Sequence, residues 1–181
     1  MNHVSSSLDG TKTLENLRQA FLKEAEAFAK NRIYAELANK DGDYSSYRAL
    51  DEMSENDKRH AELWLGYLDE LGDAFENLSE MADLANSMRD DIYPVMAEIA
   101  GEEGFEEIAE KMRLVSDVKN RHINMLEDKA KRVSSDDAFY RTDPETVWLC
   151  GSCGYSVKGN TPPERCPLCS YPVTFFETTD L

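Results

Sequence analysis

The sequence is poor in cysteine and has no long hydrophobic run. Its four cysteines all lie between positions 150 and 169, so no thiol elsewhere is available for a disulfide and a reducing compartment is favoured. No segment approaches the roughly eighteen consecutive apolar residues of a membrane span. Residues 1–10 are polar, unlike a signal peptide. The sequence therefore predicts a cytoplasmic protein, away from membranes, with a flexible tail over residues 1–10.

Basic residues are scarce relative to acidic ones. The chain carries 36 Asp and Glu residues against 20 Lys and Arg residues, which gives a formal net charge of −16. A nucleic acid or an anionic membrane surface would repel such a chain at long range. We therefore expect no nucleic-acid partner, and an acidic surface that keeps the protein in solution.

A helical hydrophobic period runs from about residue 13 to residue 133, with breaks near 40–44, 71–77 and 101–104. The four resulting segments are too long and too regular for strands. Thr13 and Ser45 are the predicted N-caps of the first two helices. Pro94 should kink or loosen the third helix. Because the loops are short, we predict an antiparallel four-helix bundle over residues 11–133.

The chain changes character after the helical region. Residues 134–146 are polar and contain a proline, which predicts a linker. Residues 147–178 are aromatic, β-branched and punctuated by glycine and proline, notably in Val147–Leu149 and Val173–Phe176. This composition favours short strands that frame loops. The fold class predicted from the sequence is therefore mainly α, with a small C-terminal β domain.

The four cysteines form one metal-ligand pattern. Two Cys-x-x-Cys pairs are separated by twelve residues and comprise Cys150, Cys153, Cys166 and Cys169. Each two-residue spacer allows a tight turn to aim two thiolates at one ion, and two such turns complete a tetrahedron. Four thiolates suit zinc as a structural ion or iron as a one-electron carrier, and the spacing leaves both open. A module of about thirty residues needs that ion to fold.

Ionisable residues fall on the predicted inner faces of three helices. They are Glu24 on the first, Asp57 and His60 on the second, and Lys119 and His122 on the fourth. An unpaired buried charge costs several kcal/mol, so these groups should meet one another or an ion. Lys119 can pair with Glu24 and Asp57 in a metal-free polar network; the alternative is a single bound ion.

The third inner face differs from the others because it is apolar throughout. It comprises Leu78, Met81, Ala85, Met88, Ile92, Val95 and Ile99. Such a face offers no carboxylate or imidazole to a metal ion.

The whole pattern resembles the rubrerythrin family from about residue 8 to residue 177. The matching stretches are Gly10 to Leu17 with Ala20, Phe21 and Glu24; Glu55 to Ala61; Tyr93-Pro94; Glu103 to Phe105; Trp148 to Cys150; Cys153 to Tyr155; and Pro163 to Cys169. The resemblance implies a ferritin-like bundle with a non-haem di-iron site and a rubredoxin-like domain with one iron on four cysteines. It also implies a homodimer that takes part in peroxide defence.

Carried over residue by residue, the resemblance leaves an incomplete di-iron ligand set. Glu24, His60 and His122 match family ligands, and Asp57 stands one methylene short of an expected glutamate. At the three other ligand positions the resemblance implies glutamates. This chain has Ala85, Met88 and Lys119 there. We therefore expect no di-iron centre, with Lys119 in the position that blocks it.

The function predicted from the sequence is electron transfer by a rubrerythrin-like iron protein through the four-cysteine site, linked to peroxide defence. Two alternatives remain open. One is a non-catalytic scaffold in which zinc stabilises the cysteine domain. The other is a peroxide reductase with a remodelled mononuclear site at Glu24, Asp57, His60 and His122. Whether the protein is an enzyme, and which protein exchanges electrons with it, stay open at this point.

Overall fold

The computed structural model describes residues 8–134 and 138–178. These residues form a mainly helical chain that ends in a small antiparallel sheet, so the predicted fold class is confirmed. The chain divides between Gly72 and Asp73 into two compact units. Most of the predicted tail and part of the predicted linker, residues 1–7 and 135–137, lie outside the described residues. The predicted domain limits, 11–133 and 147–178, stay predictions.

The first unit is a helical hairpin. Helix α1 spans Lys12–Lys40 and helix α2 spans Tyr44–Leu68. The chain reverses over residues 41–43, where Gly42 has a φ of +78° that other residues rarely adopt. The two helices therefore run antiparallel and pack along their length.

Both predicted N-caps of this hairpin were wrong. The cap of α1 is Thr11, whose hydroxyl accepts a hydrogen bond from the N–H of Leu14 at 3.2 Å. The cap of α2 is Asp43, whose carboxylate accepts from the N–H of Ser46 at 3.0 Å. Thr13 and Ser45 lie inside the helices because an equally good capping residue stands two positions earlier in each case.

The second unit begins with three α-helices and a π-helical turn. Helix α3 spans Ala74–Ser87, the π-helix spans Met88–Ile92, α4 spans Tyr93–Glu102 and α5 spans Glu106–Ser134. A capping box starts α3, because the carboxylates of Asp73 and Glu76 each accept the other's backbone N–H. Helix α5 packs against both α3 and α4.

The prediction that Pro94 loosens the third helix is confirmed, and the loosened turn lies just before this proline. Proline has no N–H to donate to the carbonyl four residues earlier, so the helix widens over Met88–Ile92. The N–H of Tyr93 accordingly donates to the carbonyl of Met88, five residues back. The hydroxyl of Ser116 on α5 donates to the carbonyl of Arg89 at 2.9 Å and ties the widened turn in place.

The helices of each unit pack through small side chains. The buried apolar residues of the helices are Ala35, Ala61, Ala82, Ala85, Ala97, Ala100, Ala109, Ala130 and Ile123. Several large residues of the predicted apolar inner face, including Met81, Val95 and Ile99, are exposed instead. The prediction that each stripe is buried was therefore wrong for these residues. Alanine allows close helix approach, and the larger side chains lie outside that contact.

The C-terminal module is a three-stranded antiparallel sheet in the order β2-β1-β3. Strand β1 spans Val147–Cys150, β2 spans Ser156–Lys158 and β3 spans Phe176–Thr178. The strand predicted over 173–176 is mostly a 3₁₀ turn at Val173–Phe175, and β3 begins only at Phe176. Pro172 precedes that turn and donates no N–H to a ladder.

Trp148 lies at the centre of this module. It is 1% exposed and clusters with Cys150, Cys166 and Phe176. Its indole N–H donates to the carbonyl of Gly159 at 2.9 Å, so the buried polar atom is satisfied. The module is tied to helix α5 by an ion pair of 2.7 Å between Lys129 Nζ and Glu177 Oε1.

Within residues 8–134 and 138–178, none of the helices combines the length and the apolarity that a membrane crossing requires.

Candidate metal centre

Two backbone turns with the same hydrogen-bond pattern hold the cysteines. In the first turn the N–H of Cys150 donates to the carbonyl of Tyr155, and the N–H of Gly154 donates to the carbonyl of Cys150, both at 2.8 Å. In the second turn the N–H of Cys166 donates to the carbonyl of Tyr171, and the N–H of Ser170 donates to the carbonyl of Cys166, again both at 2.8 Å. The two halves of the site are therefore equivalent in their backbone, which is the basis of a symmetric ligand set.

The four sulfur atoms lie at the spacing that a tetrahedral ion requires. Cys150 Sγ is 3.7 Å from Cys169 Sγ, and Cys153 Sγ is 3.6 Å from Cys166 Sγ. Thiolates bound to one zinc or iron ion at about 2.3 Å stand about 3.8 Å apart at the corners of a tetrahedron. The residues present therefore fit a single ion with four sulfur ligands. Disulfide bonds are not formed, since all four cysteines are free.

Each turn ends in a residue with positive φ directly after its second cysteine. Gly154 has a φ of +77°, as its position in the sequence suggests. Ser170 has a φ of +62° at the corresponding place in the second turn. A serine in this conformation is strained by about 1 kcal/mol relative to glycine. Sequence reasoning missed Ser170, although aligning the two Cys-x-x-Cys pairs places it opposite Gly154.

The protein environment already favours a thiolate at one cysteine. Burial of Cys166 opposes ionisation of its thiol. Hydrogen bonds from the N–H groups of Cys169 and Leu168 outweigh the effect of burial and lower the pKa of Cys166 to about 7. At Cys153 the N–H of Tyr155 favours the thiolate. Burial and the neighbouring sulfurs oppose it more strongly and raise the pKa to about 12. Like charges so close together cannot all form without a cation, so metal binding must release protons.

A second cluster of potential ligands lies in the helical hairpin. The ligand atoms of Glu24, Asp57 and His60 all lie within 4.8 Å of one another. His60 Nδ1 is 3.2 Å from Glu24 Oε2. Asn31 Nδ2 donates to Asp57 Oδ2 at 2.8 Å and orients that carboxylate. The structure thus brings together the three residues that the helical period placed on facing stripes. Asn31 was missed, although it continues the stripe of Glu24 and Phe28 by three residues.

His122 and Lys119, the other predicted residues of the helical region, lie on α5 in the second unit. They line a groove of about 370 Å³ between α3 and α5. The remaining lining residues are Met81, Leu84, Ala85, Met88, Met125, Leu126 and Lys129. No carboxylate is among the described residues that line it. Within residues 8–134 and 138–178, the only groups of three or more metal-ligand side chains are the four cysteines and the hairpin cluster.

The fold and the cysteine geometry together define a class: a helical protein that carries a small metal domain with four sulfur ligands. Residues 15–130 match the rubrerythrin family model, and residues 148–177 match the model of the rubrerythrin rubredoxin-like domain. The chain belongs to the rubrerythrin family.

Relatives with similar sequences extend over almost the whole chain. Rubrerythrin-1 of Clostridium acetobutylicum is 32% identical and the match covers 94% of this chain and 96% of that protein. The rubrerythrin of Porphyromonas gingivalis is 31% identical, with 96% and 93% covered. Among solved structures, partially reduced nigerythrin aligns with a TM-score of 0.36 at 23% identity, over 99% of this chain and 92% of that chain.

Metal removal should unfold the cysteine module and leave the helices intact. In a Trp64→Phe variant, Trp148 is the remaining tryptophan of two. Adding a strong chelator to the zinc-loaded variant should shift Trp148 emission to longer wavelength, because structural metal contributes on the order of 10 kcal/mol to folding such modules. Far-UV circular dichroism should keep its helical signal. The Trp64 side chain suits replacement because its indole N–H has no hydrogen-bond partner.

The matched control is Trp148→Phe, in which Trp64 reports on helix α2 and its emission should stay constant. Unchanged Trp148 emission after metal analysis has verified complete removal would contradict the dependence of the module on its ion.

Proposed function

We propose that this chain is an electron-transfer protein in which one iron ion on Cys150, Cys153, Cys166 and Cys169 is the redox centre. The observation that carries the proposal is the set of four sulfurs at tetrahedral spacing, in a chain whose family includes a rubredoxin-like domain. When bound, an iron ion here supplies a one-electron ferric–ferrous couple. We place the protein in the cytoplasm and in peroxide defence, on the strength of its reduced thiols and its family.

The chain's own residues support redox use of this site in two ways. Backbone N–H groups of Leu168 and Cys169 point at the Cys166 sulfur, and that of Tyr155 points at Cys153. Hydrogen bonds to ligand sulfurs stabilise the reduced, more negatively charged state and raise the reduction potential. The two hydrogen-bonded turns also restrain the positions of the four ligands around a bound ion in either oxidation state.

The site is asymmetric in its access to solvent. Cys150 and Cys166 are 1% and 2% exposed, whereas Cys153 is exposed and Cys169 is half-buried. Leu168, between the second pair of cysteines, is 68% exposed. Electrons can therefore enter and leave through the side of the site that carries Cys153 and Cys169, where a partner protein can approach closely.

The proposal includes loss of the di-iron centre. A di-iron site of the family's kind needs several bridging and terminal carboxylates to balance a charge of +4 or more. The α3–α5 groove instead presents Ala85, Met88 and Lys119, and the ammonium group of Lys119 repels cations. Glu24 and Asp57 alone supply two carboxylates. We infer that two irons are not held in the helical region, which leaves the cysteine site as the redox centre.

A second candidate function rests on the hairpin cluster. Glu24, Asp57 and His60 form a set of two carboxylates and one imidazole within 4.8 Å, and such mixed oxygen and nitrogen ligands suit a single divalent ion. A mononuclear site of this kind would support peroxide reduction without a di-iron centre. Asn31 already occupies one lone pair of Asp57, which weakens the cluster as a ligand set.

The visible spectrum of protein purified anaerobically from its iron-replete native cells tests the main proposal. The sample should be coloured by thiolate-to-iron charge transfer, and the colour should bleach and return reversibly with one electron for each chain. A zinc-filled, colourless protein would contradict electron transfer and favour the scaffold. A Cys153→Ser variant serves as the control, since loss of one thiolate should alter the spectrum.

Restoring the missing carboxylates tests the loss of the di-iron centre. A variant with Ala85→Glu, Met88→Glu and Lys119→Glu should bind more iron than the parent chain, rising from one iron for each chain towards three. The reason is that three carboxylates are added where an ammonium and apolar groups stood. Iron content after equilibrium dialysis is the measurement.

The matched control makes the same changes of residue type at exposed positions, with Ala74→Glu, Met96→Glu and Lys131→Glu. It should bind no more iron than the parent chain. If the first variant takes up no additional iron, the account of how the di-iron centre was lost is wrong.

A further inference from the structure

The two turns of the metal centre differ in the side chains that cover them. Gly151 and Ser152 separate the first pair of cysteines, whereas Pro167 and Leu168 separate the second pair. Because the two turns share one backbone hydrogen-bond pattern, Ser152 and Leu168 occupy corresponding positions. A leucine side chain covers more of its surroundings than a serine side chain does. The first turn therefore gives its cysteines less cover than the second turn gives.

Cys153, at the end of the first turn, is the exposed sulfur ligand of the site. Residues 151–154 are all exposed, whereas the other three cysteines are buried or half-buried. A Cβ placed on Gly154 would meet no heavy atom of a non-adjacent residue within 4 Å, so the space beside Cys153 is open. A small oxidant from solvent therefore reaches Cys153 first, because oxidation of thiolates follows their accessibility.

A buried sulfur lies directly beside Cys153. Cys166 Sγ is 3.6 Å from Cys153 Sγ, and Cys166 is 2% exposed. A disulfide bond is about 2.05 Å long, so the two sulfurs need to approach each other by roughly 1.6 Å. An accessible cysteine next to a second cysteine that can resolve its oxidation is typical of redox-sensitive sites. Cys166 thus has the place of the resolving thiol.

We propose that Cys153 is a site of oxidation by hydrogen peroxide, and that a disulfide between Cys153 and Cys166 then expels the bound ion. Metal-bound cysteines are thiolates without a proton. The Cys153 sulfur attacks one peroxide oxygen, the O–O bond breaks and one proton is taken up, which yields a sulfenic acid and water. The Cys166 thiolate attacks the Cys153 sulfur, the S–O bond breaks, and a second proton leaves with the oxygen as water. Two electrons pass from the two sulfurs to the peroxide, and the charge of the ion does not change.

The disulfide removes two of the four thiolates from the site. Cys150 and Cys169 alone do not complete a tetrahedral set, so the affinity for the ion falls. Trp148, which is 1% exposed and packs with Cys150, then becomes accessible as the module loses the fold that its ion supports. This reaction requires the four-sulfur site but neither iron nor electron transfer, so it goes beyond the function proposed above and also occurs in the zinc-loaded chain.

Zinc release from the zinc-loaded full-length chain tests the proposal. Hydrogen peroxide is added in an equimolar amount, and the released zinc is followed with a chromophoric chelator. Ser152→Leu gives the first turn the side chain of the second turn and should slow the release at least about threefold, because it covers Cys153. Zinc retention without peroxide provides the baseline for each variant.

Leu168→Ser is the matched control, because it makes the reverse change at the corresponding position. Its zinc release should match that of the wild-type chain, since Cys169 is not the point of attack. A wild-type chain that keeps its zinc in peroxide overturns the proposal. Equal rates for Ser152→Leu and the wild-type chain also overturn it, and so does faster release from Leu168→Ser.

Disulfide mapping of the wild-type chain is an independent measurement that needs no variant. The reaction is stopped early with maleimide in mild acid, which labels the remaining thiols and suppresses thiol–disulfide exchange. Tandem mass spectrometry should find Cys153 linked to Cys166, with the label on Cys150 and Cys169. Any other first pairing, or zinc release without a disulfide, overturns the proposal.

Recovery after reduction distinguishes a disulfide from irreversible oxidation. In the Trp64→Phe variant, a dithiol reductant with zinc should restore the Trp148 emission that peroxide shifted to longer wavelength, because a disulfide is reducible and a sulfinic acid is not. Emission that stays shifted overturns the proposal. These measurements use zinc and involve no electron transfer through iron, so their failure and the failure of the redox function are distinguishable.

Discussion

Mutual repulsion of four sulfur ligands, relieved only by a cation, governs the C-terminal part of the molecule. Two equivalent backbone turns place the sulfurs 3.6 to 3.7 Å apart across the site, close to the corners of a tetrahedron around one ion. The sheet around them has strands of three and four residues, too small to hold this arrangement by burial alone. We therefore expect the strands, the buried Trp148 and the positive φ at Gly154 and Ser170 to depend on an ion that neutralises those thiolates.

The helical region divides its ionisable side chains between the two units. Glu24, Asp57 and His60 converge in the hairpin, whereas Lys119, His122 and Lys129 line the groove between α3 and α5 together with apolar residues. The hairpin therefore concentrates oxygen ligands, whereas the groove, which presents ammonium groups and no carboxylate among its described lining residues, disfavours a cation.

Much of this structure follows from local features of the sequence. The cysteine site was predictable because ligand spacing within a turn is a local property. The convergence of Glu24, Asp57 and His60 was predictable because a three-and-four period fixes which residues share a helix face. The N-cap predictions were wrong because two good capping residues lie two positions apart at each helix start: Thr11 and Thr13 for α1, Asp43 and Ser45 for α2. The prediction of a strand at residues 173–175 was wrong because Pro172 and the tight 3₁₀ turn that follows it outweigh the β-branched composition.

The burial pattern was the least predictable feature. A helical period shows that Met53 and Tyr67 share a face with Asp57 and His60, but it does not show whether another helix covers that face. In each unit the close contacts are made by alanines such as Ala61 and Ala109, which contribute weakly to a hydrophobic pattern. Which surface is covered depends on contacts far apart in the sequence or on a second chain, and neither is encoded in a local period.

The central claim is that the cysteine-bound iron is the one redox centre of this chain. Mössbauer spectroscopy of native protein from cells grown on an enriched iron isotope tests it most directly, because the spectrum counts iron by ligand type. We predict a single component, from mononuclear iron with four sulfur ligands, at one iron for each chain. A second component from a coupled iron pair with oxygen and nitrogen ligands, at two irons for each cysteine-bound iron, would contradict the account.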